Sequence, residues 1–235
     1  MEKNIVLLHG WGANKTKLEP LANVLRKKKW KVLVPELPGF GVPDPSEVWN
    51  LENYAHFVSE KAKVFFNSER YVVFGHSFGG GIGVKLSLLY TRNVSGLALC
   101  ASRGFSRGNI LKRFVFYTLA KSGKIFLLIA PLASFWRKIL YKLAREHDYE
   151  NANGIMKDIF KKIISEDLKP LVGKIKTPTL ILWGKEDKMT PLKDALYLKK
   201  VLANSQLKVF DNVGHRLPYV KPEEIAREIN SYFRK

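Results

Sequence analysis

The sequence predicts an α/β protein with a doubly wound, mostly parallel sheet of about six strands, flanked by helices. Two observations carry this prediction. Short apolar runs rich in β-forming residues recur along the chain, and helical patterns lie between them. This alternation favours parallel pairing, because a crossover helix returns the chain to the edge at which the preceding strand began. At 235 residues, the chain is long enough for one well-packed domain.

Six segments are predicted to be strands because each is short, apolar and bounded by turn-forming residues. They are Ile5–Leu8, Val32–Val34, Tyr71–Phe74, Leu97–Cys100, Thr179–Trp183 and Leu207–Phe210. Five segments between or after them have the apolar spacing of helices that pack against a sheet. They are Leu18–Lys28, Leu51–Phe66, Gly80–Tyr90, Leu192–Val201 and Pro222–Phe233.

One interval, residues 102–176, interrupts the alternation with helix-like stretches and no convincing strand. We therefore predict a core domain of residues 1–101 and 177–235 and a helical cap, or lid, of residues 102–176. Insertions of this kind lie above the carboxyl edge of a parallel sheet, where ligands bind. The helix-like stretches are Leu111–Leu119, Ile125–Ala130, Phe135–Arg145 and Asn153–Ile164.

The net charge of +19 is large, but its distribution along the chain is diffuse. Only Arg26–Lys29 forms a tight basic run, and no nucleic-acid-binding motif accompanies it, so nucleic-acid binding is not predicted. Between Arg103 and Lys176, 16 Lys and Arg outnumber 6 Asp and Glu and are interleaved with aromatic residues. Contact with an anionic membrane surface is therefore an alternative, less favoured than a solvated basic exterior.

The start of the sequence predicts a cytoplasmic protein, and the cysteine content predicts no disulfide. The single cysteine, Cys100, ends an apolar run and is expected to be buried, and one cysteine allows no disulfide within the chain. Residues 1–4 lead directly into the first predicted strand without a signal sequence. The longest apolar segment, Ile125–Trp136, is too short to cross a bilayer. No metal or cofactor is predicted. The sequence is compatible with a monomer or a homodimer.

The run from Val72 to Gly81 predicts a reactive serine, because an apolar strand passes directly into Gly-x-Ser-x-Gly and a glycine-rich helix start. A serine on such a sharp turn requires neighbours without side chains, and Gly75 and Gly79 flank Ser77 at the required spacing. Similar turns also serve structural purposes, so a base and an acid must be found downstream.

Two later loops supply candidate partners for Ser77. Asp187 lies just beyond the fifth predicted strand and His215 just beyond the sixth, so both fall at the same edge of the sheet as the serine. In this arrangement His215 would accept the serine proton, and Asp187 would orient the imidazole. Glu186 is the nearest rival to Asp187, and Asp211 precedes His215 too closely.

A turn after the first strand, His9-Gly10-Trp11-Gly12, provides a further element of the site. Its glycines permit a backbone path that aims the N–H of Trp11 at the point reached by the N–H of Phe78. We therefore predict that Trp11 and Phe78 form an oxyanion hole.

Five ordered motifs resemble those of the α/β-hydrolase fold superfamily. They are His9-Gly10-Trp11-Gly12, Glu36-Leu37-Pro38-Gly39-Phe40-Gly41, Gly75-His76-Ser77-Phe78-Gly79-Gly80, Trp183-Gly184-Lys185-Glu186-Asp187 and Gly214-His215. The resemblance implies a serine hydrolase whose nucleophile, acid and base match Ser77, Asp187 and His215. Within the superfamily the chain looks most like small lidded esterases, lactonases and carbon–carbon bond hydrolases.

The predicted function is hydrolysis of carboxylic esters of short to medium apolar acyl groups, lactones included, through an acyl-enzyme. The residues expected to line the substrate pocket are Trp11, Phe105, Phe114, Phe126, Phe135 and Leu217. Three alternatives stay open. A carbon–carbon bond hydrolase would require a cationic group such as Arg103, a lipase would act at a lipid surface, and a non-enzymatic receptor would keep the triad without turnover.

Overall fold

The computed structural model describes residues 3–105 and 154–234, which form a six-stranded sheet with helices on both sides. The strands are β1 (Lys3–Leu8), β2 (Trp30–Leu33), β3 (Tyr71–His76), β4 (Val94–Cys100), β5 (Thr179–Gly184) and β6 (Ser205–Phe210). Their order across the sheet is β2-β1-β3-β4-β5-β6, and each neighbouring pair is parallel. The predicted fold class is confirmed, and the sheet is parallel throughout.

The helices of the described residues include all five that the sequence predicts. They are α1 (Glu19–Lys27), α2 (Leu51–Phe65), α3 (Phe78–Leu89), α4 (Ile155–Ser165), α5 (Lys169–Val172), α6 (Leu192–Val201), α7 (Leu217–Val220) and α8 (Pro222–Phe233), with a 3-10 helix at Lys15–Leu18. Helix α2 begins at a capping box, in which the Asn50 side chain accepts from the N–H of Asn53 and the Asn53 side chain accepts from the N–H of Asn50. None of these helices is both long enough and apolar enough to span a bilayer.

Alternate residues of the central strands point to opposite faces of the sheet, as the two-residue period of a strand requires. On one face, Ile5 and Leu7 of β1 join Val72 and Phe74 of β3 in a buried core cluster. Helices α1 and α8 pack over this face and contribute leucine and isoleucine side chains. Burying each such side chain stabilises the fold by about 1.5–3 kcal/mol. The opposite face carries α2 and α3, which pack against each other.

The strand register brings three of the predicted site residues to one edge of the sheet. Leu8 of β1 is aligned with Gly75 of β3, and Gly184 of β5 is aligned with Phe210 of β6. The loops that follow these strands therefore leave from the same carboxyl edge, and they carry Ser77, Asp187 and His215. This alignment is the reason that residues far apart in the sequence can form one site.

The predicted cap, residues 102–176, is described only at its two ends, because residues 106–153 lie outside the described ranges. At the second end, α4 replaces the predicted helix at Asn153–Ile164 with bounds shifted by one or two residues. The Phe160 ring of α4 packs 5.0 Å from the Trp11 ring, centroid to centroid. The cap boundaries remain a prediction.

Candidate active site

Ser77 occupies a strained turn between β3 and α3. Its backbone lies at φ 52° and ψ −111°, a region that a residue with a side chain rarely adopts and that costs about 1–3 kcal/mol. The Ser77 N–H donates to the carbonyl of Cys100 at 3.0 Å, and the Ser77 carbonyl accepts from the N–H groups of Gly80 and Arg103 at 3.0 and 3.3 Å. These bonds hold the backbone in a conformation that local preferences oppose.

The two glycines of the serine motif are required by close backbone contacts. A Cβ atom added to Gly75 would lie 2.3 Å from the Gly79 carbonyl oxygen, and one added to Gly79 would lie 2.4 Å from the Leu8 carbonyl oxygen. Both obstacles are main-chain atoms, which cannot swing aside as a flexible side chain can. The turn is therefore open only to glycine at both positions.

Asp187 and His215 form a hydrogen-bonded pair after β5 and β6. His215 Nδ1 lies 2.9 Å from Asp187 Oδ2, and the Asp187 side chain is buried. A carboxylate only accepts, so the Nδ1 atom carries the proton in this pair. In the neutral ring, Nε2 then has a free lone pair, which is the state that a general base needs.

Thr190 is a further member of this cluster, and the sequence analysis did not identify it. Its hydroxyl donates to Asp187 Oδ2 at 2.7 Å, and its N–H donates to Asp187 Oδ1 at 2.8 Å. The N–H of Met189 also donates to Asp187 Oδ1 at 2.8 Å. The indole N–H of Trp183 donates to the Thr190 carbonyl at 2.8 Å, which anchors this loop to β5. The sequence signal, a Thr-Pro pair soon after the acid, is too common to single the residue out.

Ionisation of Asp187 reflects opposing effects. Burial disfavours the carboxylate, but the hydrogen bonds from His215 and Thr190 and the His215 charge together outweigh it and hold the pKa of Asp187 below its ordinary value of 3.8. The carboxylate therefore stays charged at neutral pH, where it can stabilise a protonated His215.

The two rival acids make other contacts. Glu186 Oε2 accepts from the N–H of Val213 at 2.7 Å, which joins the loops after β5 and β6. Asp211 forms an exposed ion pair with Lys185 at 2.9 Å. The structure thus brings Asp187, and neither rival, to the imidazole of His215.

His76, which directly precedes Ser77, braces the backbone that carries His215. The ring is buried, and its Nε2 lies 2.8 Å from the His215 carbonyl oxygen, so Nε2 is the protonated nitrogen and donates. The Tyr219 hydroxyl then donates to His76 Nδ1 at 3.0 Å. Burial, reinforced by the nearby charge of His215, lowers the pKa of His76 to about 3. His76 is therefore neutral and has both ring nitrogens occupied.

The imidazole of His215 lies beside the serine turn. Its ring centroid is 4.9 Å from that of His76. Among the described residues, no hydrogen bond joins the Ser77 hydroxyl to His215, so the pair and the serine are adjacent but not yet linked. Such bonds are often long without substrate and shorten when substrate binds.

Two backbone N–H groups predicted to form an oxyanion hole lie next to the serine turn. A Cβ atom added to Gly10 would lie 3.5 Å from Ser77 Cβ, so the loop after β1 passes directly beside the serine. The N–H groups of Trp11 and Phe78 have no acceptor within residues 3–105 and 154–234. Phe78 is the first residue of α3, where the helix dipole also favours negative charge.

His9 holds the peptide that carries the Trp11 N–H. Its Nδ1 donates to the Gly10 carbonyl at 2.9 Å, and the N–H of Ala13 donates to the same oxygen at 3.2 Å. The Gly10 carbonyl and the Trp11 N–H belong to one planar peptide unit, so fixing the carbonyl also fixes the N–H. In the sequence, His9 is recognisable only as part of the His-Gly-Trp-Gly motif, because this role depends on the folded turn.

Aromatic side chains cluster above the serine turn. The Trp11 ring lies 4.8 Å from Phe40, 5.4 Å from Phe78 and 5.0 Å from Phe160, centroid to centroid. The guanidinium of Arg103 lies 5.8 Å from the centre of the Phe160 ring. An apolar surface with the Arg103 guanidinium beside it therefore borders the candidate site.

The other predicted pocket residues are placed less informatively. Phe105 is buried, and Leu217 belongs to the buried core cluster. Phe114, Phe126 and Phe135 lie outside the described residues.

Cys100 is buried as predicted, and burial raises the pKa of its thiol well above the ordinary value. Within the described ranges, no three His, Cys, Asp or Glu side chains are grouped closely enough to hold a metal ion.

Comparisons with known proteins concern the family and the fold of the chain. The sequence profile of the alpha/beta hydrolase family matches residues 5–228. The AB hydrolase superfamily protein YisY of Bacillus subtilis (strain 168) is 28% identical, covering 94% of this chain and 88% of its own length. The pimeloyl-[acyl-carrier protein] methyl ester esterase of Pseudoalteromonas atlantica is 29% identical, covering 94% of this chain and 90% of its own.

The fold is shared with solved structures at lower sequence identity. A thermophilic esterase from Thermogutta terrifontis matches with a TM-score of 0.74 and 21% identity, over 100% of this chain and 90% of that chain. At this identity the likeness concerns the arrangement of strands and helices.

Proposed function

The chain belongs to the alpha/beta hydrolase family, and we propose that it is a serine hydrolase that cleaves carboxylic esters through an acyl-enzyme. In this proposal Ser77 is the nucleophile, His215 the general base and Asp187 the acid that orients it. The N–H groups of Trp11 and Phe78 form the oxyanion hole.

One observation carries the proposal. A serine held at φ 52° by glycine-flanked backbone contacts lies at the same sheet edge as a buried, hydrogen-bonded Asp–His pair. A strained serine is found where the surrounding structure enforces it, and such strain clusters at active sites. Thr190 and Met189 already donate hydrogen bonds to both oxygens of the buried carboxylate. The carboxylate therefore does not need His215 as a hydrogen-bond donor, which favours a catalytic role for the Asp–His pair.

The proposed reaction follows from the positions of the protons. His215 Nε2 takes the hydroxyl proton as Ser77 Oγ attacks the ester carbonyl carbon, and the resulting oxyanion is stabilised by the two N–H groups. Collapse of this intermediate breaks the bond to the alcohol oxygen, which leaves with the proton from His215. Water then attacks the acyl-enzyme by the same steps, and the carboxylic acid is released.

The class of substrate rests on two supports. The first is the aromatic surface around Trp11, which favours an apolar acyl or alcohol group. The second is the name of a relative, a methyl ester esterase that is 29% identical to this chain. We propose esters of short to medium apolar acyl chains as substrates, with lactones as cyclic members of the same class.

The test is covalent labelling combined with a substrate series. A fluorophosphonate probe should label the wild-type chain at Ser77, identified by peptide mass spectrometry, and should not label Ser77→Ala. Ser231→Ala, an exposed serine of α8, is the matched control and should label normally. Turnover of p-nitrophenyl esters of increasing acyl length, with acyl lactones alongside, then measures the preferred chain. Labelling at another residue, or none, would disprove the assignment.

A carbon–carbon bond hydrolase is a second candidate, favoured by the position of Arg103. Its guanidinium lies over Phe160, which contacts Trp11, so a cation borders the aromatic surface. Such an enzyme would use the cation for an acidic β-diketone-like substrate. Turnover of a vinylogous diketone, together with failure to hydrolyse p-nitrophenyl acetate or butyrate, would favour this candidate over the esterase.

A further inference from the structure

The fold gathers at one edge of the sheet cations that are scattered along the sequence. Since all six strands are parallel, the loops that lead into them lie together at the amino edge, opposite the serine turn. The loops before β2, β3, β4 and β5 contain six Lys or Arg and a single carboxylate, that of Glu69. The six are Lys28, Lys29, Arg70, Arg92, Lys174 and Lys176.

The helices that run down to this edge add further cations and no carboxylates in their last turns. Helices α1, α2 and α6 end with Arg26, Lys27, Lys63, Lys199 and Lys200, and Arg234 follows α8. Arg234 donates to the Lys29 carbonyl at 3.3 Å, which places it against the loop before β2. We call these twelve residues the basic edge. Its excess of eleven positive charges is more than half of the net charge of +19.

The helix dipole accounts for only part of this excess. It favours cations in the last turn of a helix, but four cations of the basic edge lie in the loops before β3, β4 and β5, beyond the helix ends. The carboxyl edge differs, because its loops mix both signs and form ion pairs such as Lys15–Glu36 at 2.9 Å. On the basic edge, only Arg26 has an ion-pair partner among the described residues, Glu19 at 2.8 Å.

Exposed apolar side chains stand among these cations. Val64 is 78% exposed and Phe65 41% exposed, and both follow Lys63 at the end of α2. Leu89, 44% exposed, ends α3 just before Arg92. The ammonium of Lys31 lies 5.4 Å from the centre of the Phe65 ring. Cations interleaved with exposed apolar groups match the charged headgroups and the apolar acyl chains of a lipid surface. The phosphate backbone of a nucleic acid has no apolar layer into which a valine could insert.

From this distribution we propose that the basic edge docks the protein on a membrane surface containing anionic phospholipids. The cations lie against the phosphate headgroups, and Val64 and Phe65 enter the boundary with the acyl chains. Ser77 then lies at the opposite edge of the sheet, away from the bilayer. Docking of this kind localises the enzyme without presenting the serine turn to the bilayer, which distinguishes it from a lipase that takes substrate from the membrane.

The first test is co-sedimentation with phosphatidylcholine vesicles that contain roughly one third phosphatidylglycerol. The wild-type chain should bind these vesicles, should not bind pure phosphatidylcholine, and should be released by high salt. The triple charge reversal K63E, R92E and K176E should weaken binding at least about tenfold. The triple reversal K17E, K188E and K193E, exposed cations of the carboxyl-edge side, makes the same change in net charge and should weaken it far less.

The second test separates a lipid surface from any other polyanion. Val64→Ser combined with Phe65→Ser should weaken vesicle binding severalfold and leave binding to a DNA duplex unchanged, while circular dichroism confirms folding. Equal weakening by the two charge-reversal triples would show that net charge alone is responsible and would overturn the proposal. Tight DNA binding with no vesicle binding would overturn it in favour of a nucleic-acid surface. Fluorophosphonate labelling of Ser77 is independent of all these outcomes.

Discussion

The serine turn and the loops that carry Asp187 and His215 reach the same edge of the sheet by different physical means. In the turn, backbone hydrogen bonds of Ser77 hold a close packing that is sterically restricted, because Gly75 and Gly79 lie against main-chain atoms that exclude any side chain. The acid–base loops are fixed by hydrogen bonds, with Thr190 on the carboxylate and His76 on the His215 backbone. A steric constraint permits one residue type, whereas a hydrogen-bond network permits any residue that keeps the donor in place.

This difference predicts two patterns of failure on mutation. Replacing a glycine of the turn must displace backbone, so the fold itself should suffer. Replacing a member of the hydrogen-bond network should leave the fold largely intact and reduce the precision of the acid–base pair.

The largest effect is a loss of kcat, which is expected when Ser77 of the turn or His215 of the acid–base loops is replaced, because both act in the chemical step. Ser77→Ala and His215→Ala should each lower kcat on the best p-nitrophenyl ester by on the order of a millionfold, because either change abolishes nucleophilic attack. The double variant should lose little more than either single one. Single-turnover kinetics with matched circular dichroism spectra measures this, and additive losses would mean that the two regions do not act as a unit.

A change in the serine turn should chiefly reduce stability. Gly79→Ala should lower the free energy of unfolding by about 3 kcal/mol or more, because the added methyl meets the Leu8 carbonyl. Gly173→Ala is the matched control, since a Cβ atom there has no neighbour within 4 Å. It should change stability by at most about 0.5 kcal/mol in the same urea titration. Equal stability of the two variants would refute a steric origin for the turn.

A change in the hydrogen-bond network should chiefly reduce turnover. Thr190→Val removes the hydroxyl that donates to Asp187 and should lower kcat roughly tenfold to a hundredfold, with KM little changed. Thr190→Ser keeps the hydroxyl and should restore most of the rate. If the serine variant were as slow as the valine variant, packing of the threonine methyl would be the cause.

The last effect is a change in the pH dependence of stability, which is small near neutral pH and builds up as the solution is acidified. The unfolded chain protonates His76 near pH 6.5 and the folded chain only near about 3, so the unfolded state binds more protons between these values and stability falls as pH falls. His76→Gln removes this contribution and should flatten the slope by up to about 1.4 kcal/mol per pH unit.

The measurement is urea denaturation of both chains across this pH range. Above pH 6.5 the glutamine variant should be the less stable one, because it loses the fit of the ring between His215 and Tyr219, and the gap should narrow as the solution is acidified. Parallel curves for the two chains would show that His76 does not stay neutral in the folded state.

The sequence predicted the fold well because the fold depends on patterns that are local. Each buried strand is a short apolar run. Helices α6 and α8 have the predicted bounds, and each begins where it was predicted to begin because a proline precedes or opens it. The parallel arrangement follows from the alternation of strands and helices. The segment at 102–176 lacks this alternation, so its sequence pattern predicts helices but not how they are arranged.

The candidate site was predictable to the extent that its residues are chemically distinctive. A serine between glycines, and an aspartate and a histidine after successive strands, stand out in the sequence. Thr190 and Tyr219 do not, because their roles depend on which loops meet in space. The sequence likewise did not decide whether Glu186 or Asp187 is the partner of His215. In the structure, Glu186 instead accepts a hydrogen bond from the N–H of Val213.

The interior position of Cys100 has a practical consequence. It is the chain's single cysteine, fully buried at the end of β4, and its buried thiol resists deprotonation. Maleimide dyes should therefore leave the native protein unmodified. A cysteine substituted for Val64 would be the one accessible thiol, and a polarity-sensitive fluorophore attached there would report lipid contact by a shift in its emission colour, with no background from the rest of the molecule.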